Sequence, residues 1–356
     1  MKFKVFLQIV GGIAVLFTIL PFVALDYWWI RVFDFPHLQL TAFTILALLI
    51  YFFRFDMRYW GDYTFILIIS VCFLVQIVKI FPYTTVANVE VLNANSKDAT
   101  NFISILSINV LEKSEEYSKV LNEIKEYDPD LVILLETNDR WMNEVSRILS
   151  ENYPFKVEEP LSNTFGMLLY SKYKLIAPEI KYLVDDEIPS THSVLLLPSG
   201  QEVKLHVIHP TPPMPQHNPK ATDRNAEMQM IAEMAKDSKL PVIVAGDFND
   251  VAWSQSTLLF QNVSGLLDPR VGRGMFNSYS ANNWLLRWPL DHLFVSKEFR
   301  VVDISLGDHV GSDHFPYFAK LSFEPEMTVI QEREKPTEEE LEQSEEDIEK
   351  ANKNDQ

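Results

Sequence analysis

The sequence predicts an α/β fold preceded by an N-terminal transmembrane helical region. Within its first 80 or so residues lie three long apolar stretches with almost no charge. Residues 101–323 instead alternate short apolar runs with amphipathic, helix-spaced segments. From Glu324 to Gln356 there are 13 acids and 4 bases, an acidic tail with few apolar residues to bury. The 356 residues therefore divide into a membrane region at 1–85, a linker at 86–100, a folded domain at 101–323 and a tail at 324–356 that is expected to be disordered. A short helix from Thr337 is the one structure foreseen there, because Thr337 and Glu340 stand at capping-box spacing.

The apolar stretches are Val5 to Leu25, "VFLQIVGGIAVLFTILPFVAL", Phe35 to Phe53 and Thr64 to Ile80. Each is close to the roughly 20 residues a helix needs to cross a bilayer, so three spans are expected. Lys2 and Lys4 could open a cleaved signal peptide, but no small-x-small cleavage site follows and two more apolar stretches do. Lys2, Lys4, Arg54 and Arg58 fall on one side of such a layout and Arg31, with Lys79, on the other. That bias puts the N-terminus in the cytoplasm and the folded domain outside it. Cys72, the single cysteine, lies inside the third stretch, so the outer domain needs no disulfide. A net charge of −18 argues against tight, sequence-independent binding of nucleic acid.

In the folded domain, "NFISILSINV" reads as a strand ending at Asn109, and "SEEYSKVLNEIKEYDPD" as a helix stopping at Asp128-Pro129. "LVILLETND" is a buried strand delivering Glu136. "FGMLLYSKYKL" and "SVLLLPSGQEVKLHVIHP" read as strands with a hairpin at Ser199-Gly200, and the second ends at His209 before a Pro-rich loop. A helix, "ATDRNAEMQMIAEMAKDS", leads into "VIVAGDFND", a strand tipped by Asp247, Asn249 and Asp250. "WPLDHLFVS" starts a strand at Asp291, and "VGSDHFPYFAKLSF" places Asp313 and His314 before the last one. Singly, each polar group has a plain reading as a turn, a cap or a satisfied strand-end residue. Together they set six strand-edge sites in sheets that hold few other polar groups, the pattern of a built site.

Their order and spacing resemble the endonuclease/exonuclease/phosphatase superfamily, the deoxyribonuclease-I-like group, in what looks like a membrane-anchored bacterial-type member. The matches are "SINV" at Asn109, "LLET" at Glu136, "IHP" at His209, "GDFN" at Asp247 and Asn249, "LDHLFVS" at Asp291 and "GSDHFP" at Asp313 and His314. "GDFN" with a downstream "SDH" is the specific element. The resemblance implies a four-layer α/β sandwich, two packed mixed β-sheets flanked by helices, and a phosphodiester-cleaving hydrolase.

Cleaving a phosphodiester requires a cation and positioned donors, because the anion repels a hydroxide nucleophile. Glu136 supplies a hard oxygen suited to Mg2+ or Mn2+. Asn109 would complete or orient that metal site, and Asp313 would help at the metal. By resemblance, Asp247 orients or deprotonates the attacking water and Asn249 hydrogen-bonds the phosphate. His314 with Asp291 looks like a carboxylate-oriented imidazole that binds a phosphoryl oxygen, and His209 is a candidate acid for the leaving group. Asp308 and His309 repeat the Asp-His pair but fall before it, and are read as loop residues; His206 and His217 are read as structural, and Arg224, which could reach a phosphate, is read as a solvated helix position. The substrate is left open as a lipid, a nucleotide or a nucleic acid, with the bilayer as the other partner. Trp284 and Trp288 could dip into it, stack on a base, or simply pack. A tethered binding module with a vestigial site is the non-enzymatic alternative, disfavoured by the complete set of polar groups.

Overall fold

The structure, a computed structural model, describes residues 2–23, 26–215, 218–326 and 331–354, so His217 lies outside the described residues. The N-terminal region holds α1 (Lys2–Ile19), α2 (Trp28–Arg31), α3 (His37–Phe52) and α4 (Trp60–Ile80). Phe3–Phe22 and Trp60–Tyr83 are long and apolar enough to cross a membrane. The expected second span is a third crossing only if Trp28–Asp34 and His37–Phe52 count together, and these are bent by 69° at the break. Pro36 sits at that break, where its missing N–H cannot continue a helical ladder.

The domain runs β1 (Phe102–Asn109), α5 (Tyr117–Tyr127), β2 (Leu131–Leu135), α6 (Asp139–Leu149), β3 (Phe155–Glu159), β4 (Met167–Ser171), β5 (Lys174–Tyr182), β6 (Pro189–Leu196) and β7 (Glu202–Ile208). It continues with α7 (Thr222–Lys236), β8 (Val242–Asp247), α8 (Gln255–Ser264), β9 (Asp291–Val295), β10 (Phe299–Leu306), β11 (Tyr317–Phe323) and α9 (Glu338–Asn354). One sheet has the order β10-β11-β1-β2-β4-β3 and the other β5-β6-β7-β8-β9. Both are mixed, since β1 runs parallel to β2 and β7 to β8 while their other neighbours are antiparallel. Alternate residues such as Ile105, Ile133, Leu205 and Ile243 fill the space between the sheets. Val120, Ile124 and Trp141 seal α5 and α6 onto the outside of the first sheet. Met228, Ile231 and Phe260 do the same for α7 and α8 on the second. The result is the four-layer sandwich.

Two parts of the chain differ from the sequence expectation. Within the acidic tail, Glu338–Asn354 form α9, which packs on α7 and α8. Thr337 and Glu340 form the capping box that starts it, and Ser344 and Ala351 are buried along its inner face. Its acids meet lysines one turn away, Glu346 with Lys350 and Glu349 with Lys353, so the charge density does not prevent a helix. The linker is likewise bound: Ala94 N donates to Val301 O at 2.8 Å along β10, and Val91 enters the core between the sheets.

Candidate active site

Parallel strands end together, and here that places β1 beside β2 and β7 beside β8 with their C-terminal tips at one edge of the sandwich. Asn109 closes β1, Glu136 follows β2, His209 follows β7 and Asp247 closes β8. Asp291 opens the antiparallel neighbour β9 directly opposite Asp247. Asn109 ties the two sheets at this edge: its Nδ2 donates to Glu136 Oε1 at 2.8 Å and to Asp247 Oδ2 at 3.1 Å. Its own oxygen accepts from Leu111 N at 3.1 Å, so the side chain is fixed where it positions both carboxylates. Gly246 allows the close approach of β8 to β7. A Cβ there would stand 1.9 Å from the Ile208 carbonyl oxygen, and its φ of +141° is one that other residues rarely adopt.

His314 lies between two buried carboxylates. Its Nδ1 is 2.7 Å from Asp291 Oδ2, and its Nε2 is 3.5 Å from Asp247 Oδ2. Burial alone would keep this imidazole neutral, but the charges of Asp291 and Asp247 outweigh that cost and hold it as a cation. Burial raises the Asp247 carboxyl above the usual carboxylate range, against the pull of the His314 charge. His209 stands differently. It is buried with Nδ1 unpartnered and Nε2 3.7 Å from Asp247, and burial pushes it down to about 3. Its unpartnered Nδ1 leaves it free to hydrogen-bond a group that enters the cavity.

The tip of β8 answers for both of its carboxylates. Asp247 faces the site, with Oδ1 accepting from Asn249 N at 2.9 Å. Asp250 turns the other way, to a buried pair with Arg224 at 3.0 Å and to the hydroxyls of Ser254 and Ser256. Arg224 is thus not on a solvated helix face: the Asp250 charge draws it inside, where its Nη1 also donates to Asn249 O at 3.0 Å. Asn249 itself takes a φ of +51° and donates Nδ2 to Pro210 O, which fixes its side chain at the rim. His309 bonds Asn282 at the surface, and His206 pairs with His192 inside the second sheet, both away from the site.

Glu136, His209, Asn249, Asp313 and His314 all line one cavity of about 620 Å³. Burial raises the Glu136 carboxyl, relieved in part by Asn109 and His314, and the charge of Asp313 adds to the rise. Among the described residues neither Glu136 nor Asp313 forms an ion pair, and His314, already paired with Asp291, is the cationic side chain that lines the cavity with them. That donor set fits a hard divalent ion. Asp247, Asp291 and His314 also bring ligand atoms within 4.8 Å of one another. In this group His314 Nδ1 is already bonded to Asp291 Oδ2 at 2.7 Å, which leaves Nε2 and the remaining carboxylate oxygens as donors.

Tyr279 and the wall formed by Trp28, Val32 and Phe35 were not singled out from the sequence. Tyr279 packs its ring 5.0 Å from His314, and Trp288 meets Phe35 edge-on at 5.5 Å. Trp28, Val32 and Phe35, from the stretch joining the first two apolar segments, form one wall. Trp288 therefore packs, whereas Trp284 is 82% exposed.

Residues 106–314 match the model of the Endonuclease/Exonuclease/phosphatase family. The chain belongs to that family. Solved structures share its fold: a D. rerio TDP2 humanized by 14 mutations, at 17% identity and a TM-score of 0.52, covers 62% of this chain and 99% of its own. The human Nocturnin catalytic domain with bound sulfate anion, at 19% identity and a TM-score of 0.51, covers 68% and 99%. An endonuclease/exonuclease/phosphatase from Beutenbergia cavernae, at 15% and 0.51, covers 63% and 72%. No curated protein matches the chain.

Proposed function

We propose that this chain is a membrane-anchored, divalent-metal-dependent phosphodiesterase that hydrolyses its substrate by in-line attack of water. The observation that carries this reading is the arrangement of Asp247, with His314 charge-paired to Asp291, at the mouth shared by Glu136 and Asp313. Asp247 accepts the proton of the attacking water and aims its oxygen at phosphorus. The His314 cation donates from Nε2 to a phosphoryl oxygen, with Asp291 fixing the ring. Asn249 hydrogen-bonds the phosphate, and neutral His209 hydrogen-bonds near the departing oxygen. Mg2+ or Mn2+, when held by Glu136 and Asp313, supplies the positive charge that offsets the phosphoryl anion.

Metal removal tests the reaction. The full chain in detergent, given magnesium or manganese, should hydrolyse bis(p-nitrophenyl) phosphate, fall to background with EDTA and recover when magnesium is restored. Turnover that survives EDTA would sink the metal dependence. Metal binding without turnover of any phosphodiester would leave a tethered binding module. DNA cleavage is the second reading, favoured by a similar structure described as D. rerio TDP2 complexed with single strand DNA product, so plasmid DNA belongs in the same assay.

We also place the catalytic domain outside the cytoplasm. Lys4 pairs with Asp62 at 2.5 Å on the end of the helices that carries Arg54 and Arg58, and the domain meets the opposite end through Tyr83 and Trp253. A reporter enzyme fused after Ser322 should be active only if exported. A cytoplasmic signal would overturn the orientation and leave the chemistry untouched.

A further inference from the structure

We propose that the substrate is a phospholipid of the membrane that anchors the protein, drawn into the cavity with its phosphodiester at the polar floor and its apolar part against the wall of Trp28, Val32 and Phe35. This rests on the phosphodiesterase reading above. Chain connectivity carries the first step: these three residues lie between α1 and α3, both apolar helices, so the wall sits where the chain leaves and re-enters an apolar phase. It is held there by several independent bonds. Trp28 N donates to Pro219 O at 2.9 Å, Ala221 N to Asp26 O at 2.7 Å, Trp253 Nε1 to Asp34 O at 2.7 Å, and Gln39 Nε2 to Leu285 O at 2.6 Å.

The lining and the rim point the same way. Among the described lining residues there is no lysine or arginine, so beyond His314, which faces the scissile phosphate, the cavity offers no side-chain cation for the neighbouring phosphates of a polynucleotide. Trp28, Met214 and Trp288 instead give apolar surface beside the phosphate-reading groups. Outside the mouth Trp29 (50%), Trp284 (82%) and Leu285 (54%) are exposed, the aromatic and aliphatic rim expected at a membrane–water boundary. The volume of about 620 Å³ accommodates a headgroup and the first part of its chains. In the reaction the water oxygen bonds to phosphorus, one P–O ester bond breaks, and the proton ends on the released alcohol, leaving a phosphomonoester.

The test uses the full chain with vesicles of phosphatidylcholine, phosphatidylethanolamine, phosphatidylglycerol and sphingomyelin, with products read by mass spectrometry. Plasmid DNA and bis(p-nitrophenyl) phosphate run beside them. The long-chain form of the lipid that is cut is then compared with its water-soluble short-chain form. For the W28A/F35A chain, the ratio of kcat/KM for the long-chain over the short-chain lipid should fall about tenfold or more, the scale of losing large apolar contacts in a pocket. Trp28→Phe should restore most of the ratio, which separates contact from misfolding. Trp60→Ala, exposed at the opposite membrane end, should leave the ratio unchanged. Hydrolysis of the aryl phosphodiester or DNA with no lipid cut, or a ratio unmoved in W28A/F35A, overturns the lipid assignment while the phosphodiesterase stands. Turnover of nothing at all overturns both.

Discussion

Replacing Asp247 with asparagine should lower kcat for any phosphodiester by about a thousandfold. The substitution keeps the shape, and the side-chain oxygen can still accept from Asn249 N at 2.9 Å. What it removes is charge. A neutral amide cannot take the proton of water, and the buried His314 cation, 3.5 Å away, loses one of its two compensating carboxylates. Steady-state kinetics at saturating metal decide the matter: a variant within about tenfold of the parent would eliminate Asp247 as the base.

Asp291→Asn should cost about a hundredfold or more in kcat, with a signature that simple misfolding does not produce. Asp291 acts through His314, to which it is bonded at 2.7 Å, so it is a positioning residue. His314 has its pKa raised, against the cost of burial, by Asp291 first and Asp247 next. The useful cation is therefore fully present at low pH and is lost as pH rises through the folded value. Asparagine at 291 lowers that value, so the alkaline limb of the kcat profile should move to lower pH. A slower enzyme with an unmoved alkaline limb would mean that Asp291 supports the strand alone.

The residues at the strand tips were legible because a buried strand has no other reason to end repeatedly in carboxylates, imidazoles and amides. Asn109, Glu136, His209, Asp247, Asp291 and His314 all follow or precede mostly apolar runs, and parallel pairing brings the tips of β1, β2, β7 and β8 together. Arg224 was not legible. It heads a helix with polar neighbours, and its burial depends on Asp250, which arrives from the far end of another strand. The wall of Trp28, Val32 and Phe35 was hidden for a similar reason, since hydropathy reports how apolar a stretch is and not what it covers. In α9 the cap was visible, whereas docking on α7 and α8 depends on distant partners.

The seam drawn by hydropathy at residue 85 is not a seam of the molecule. Ile80 and Tyr83, at the end of the last apolar helix, pack with Val251, Ala252, Trp253 and Leu290, and the Tyr83 hydroxyl donates to Ala252 O at 2.6 Å. Those partners sit in the loops just behind Asp247 and just before Asp291. The anchor is consequently not an interchangeable tether. Exchanging the apolar helices for an unrelated transmembrane helix would strip one side from the mouth of the site and bare Trp253 behind it, so the N-terminal helices and the folded domain constitute a single structural unit.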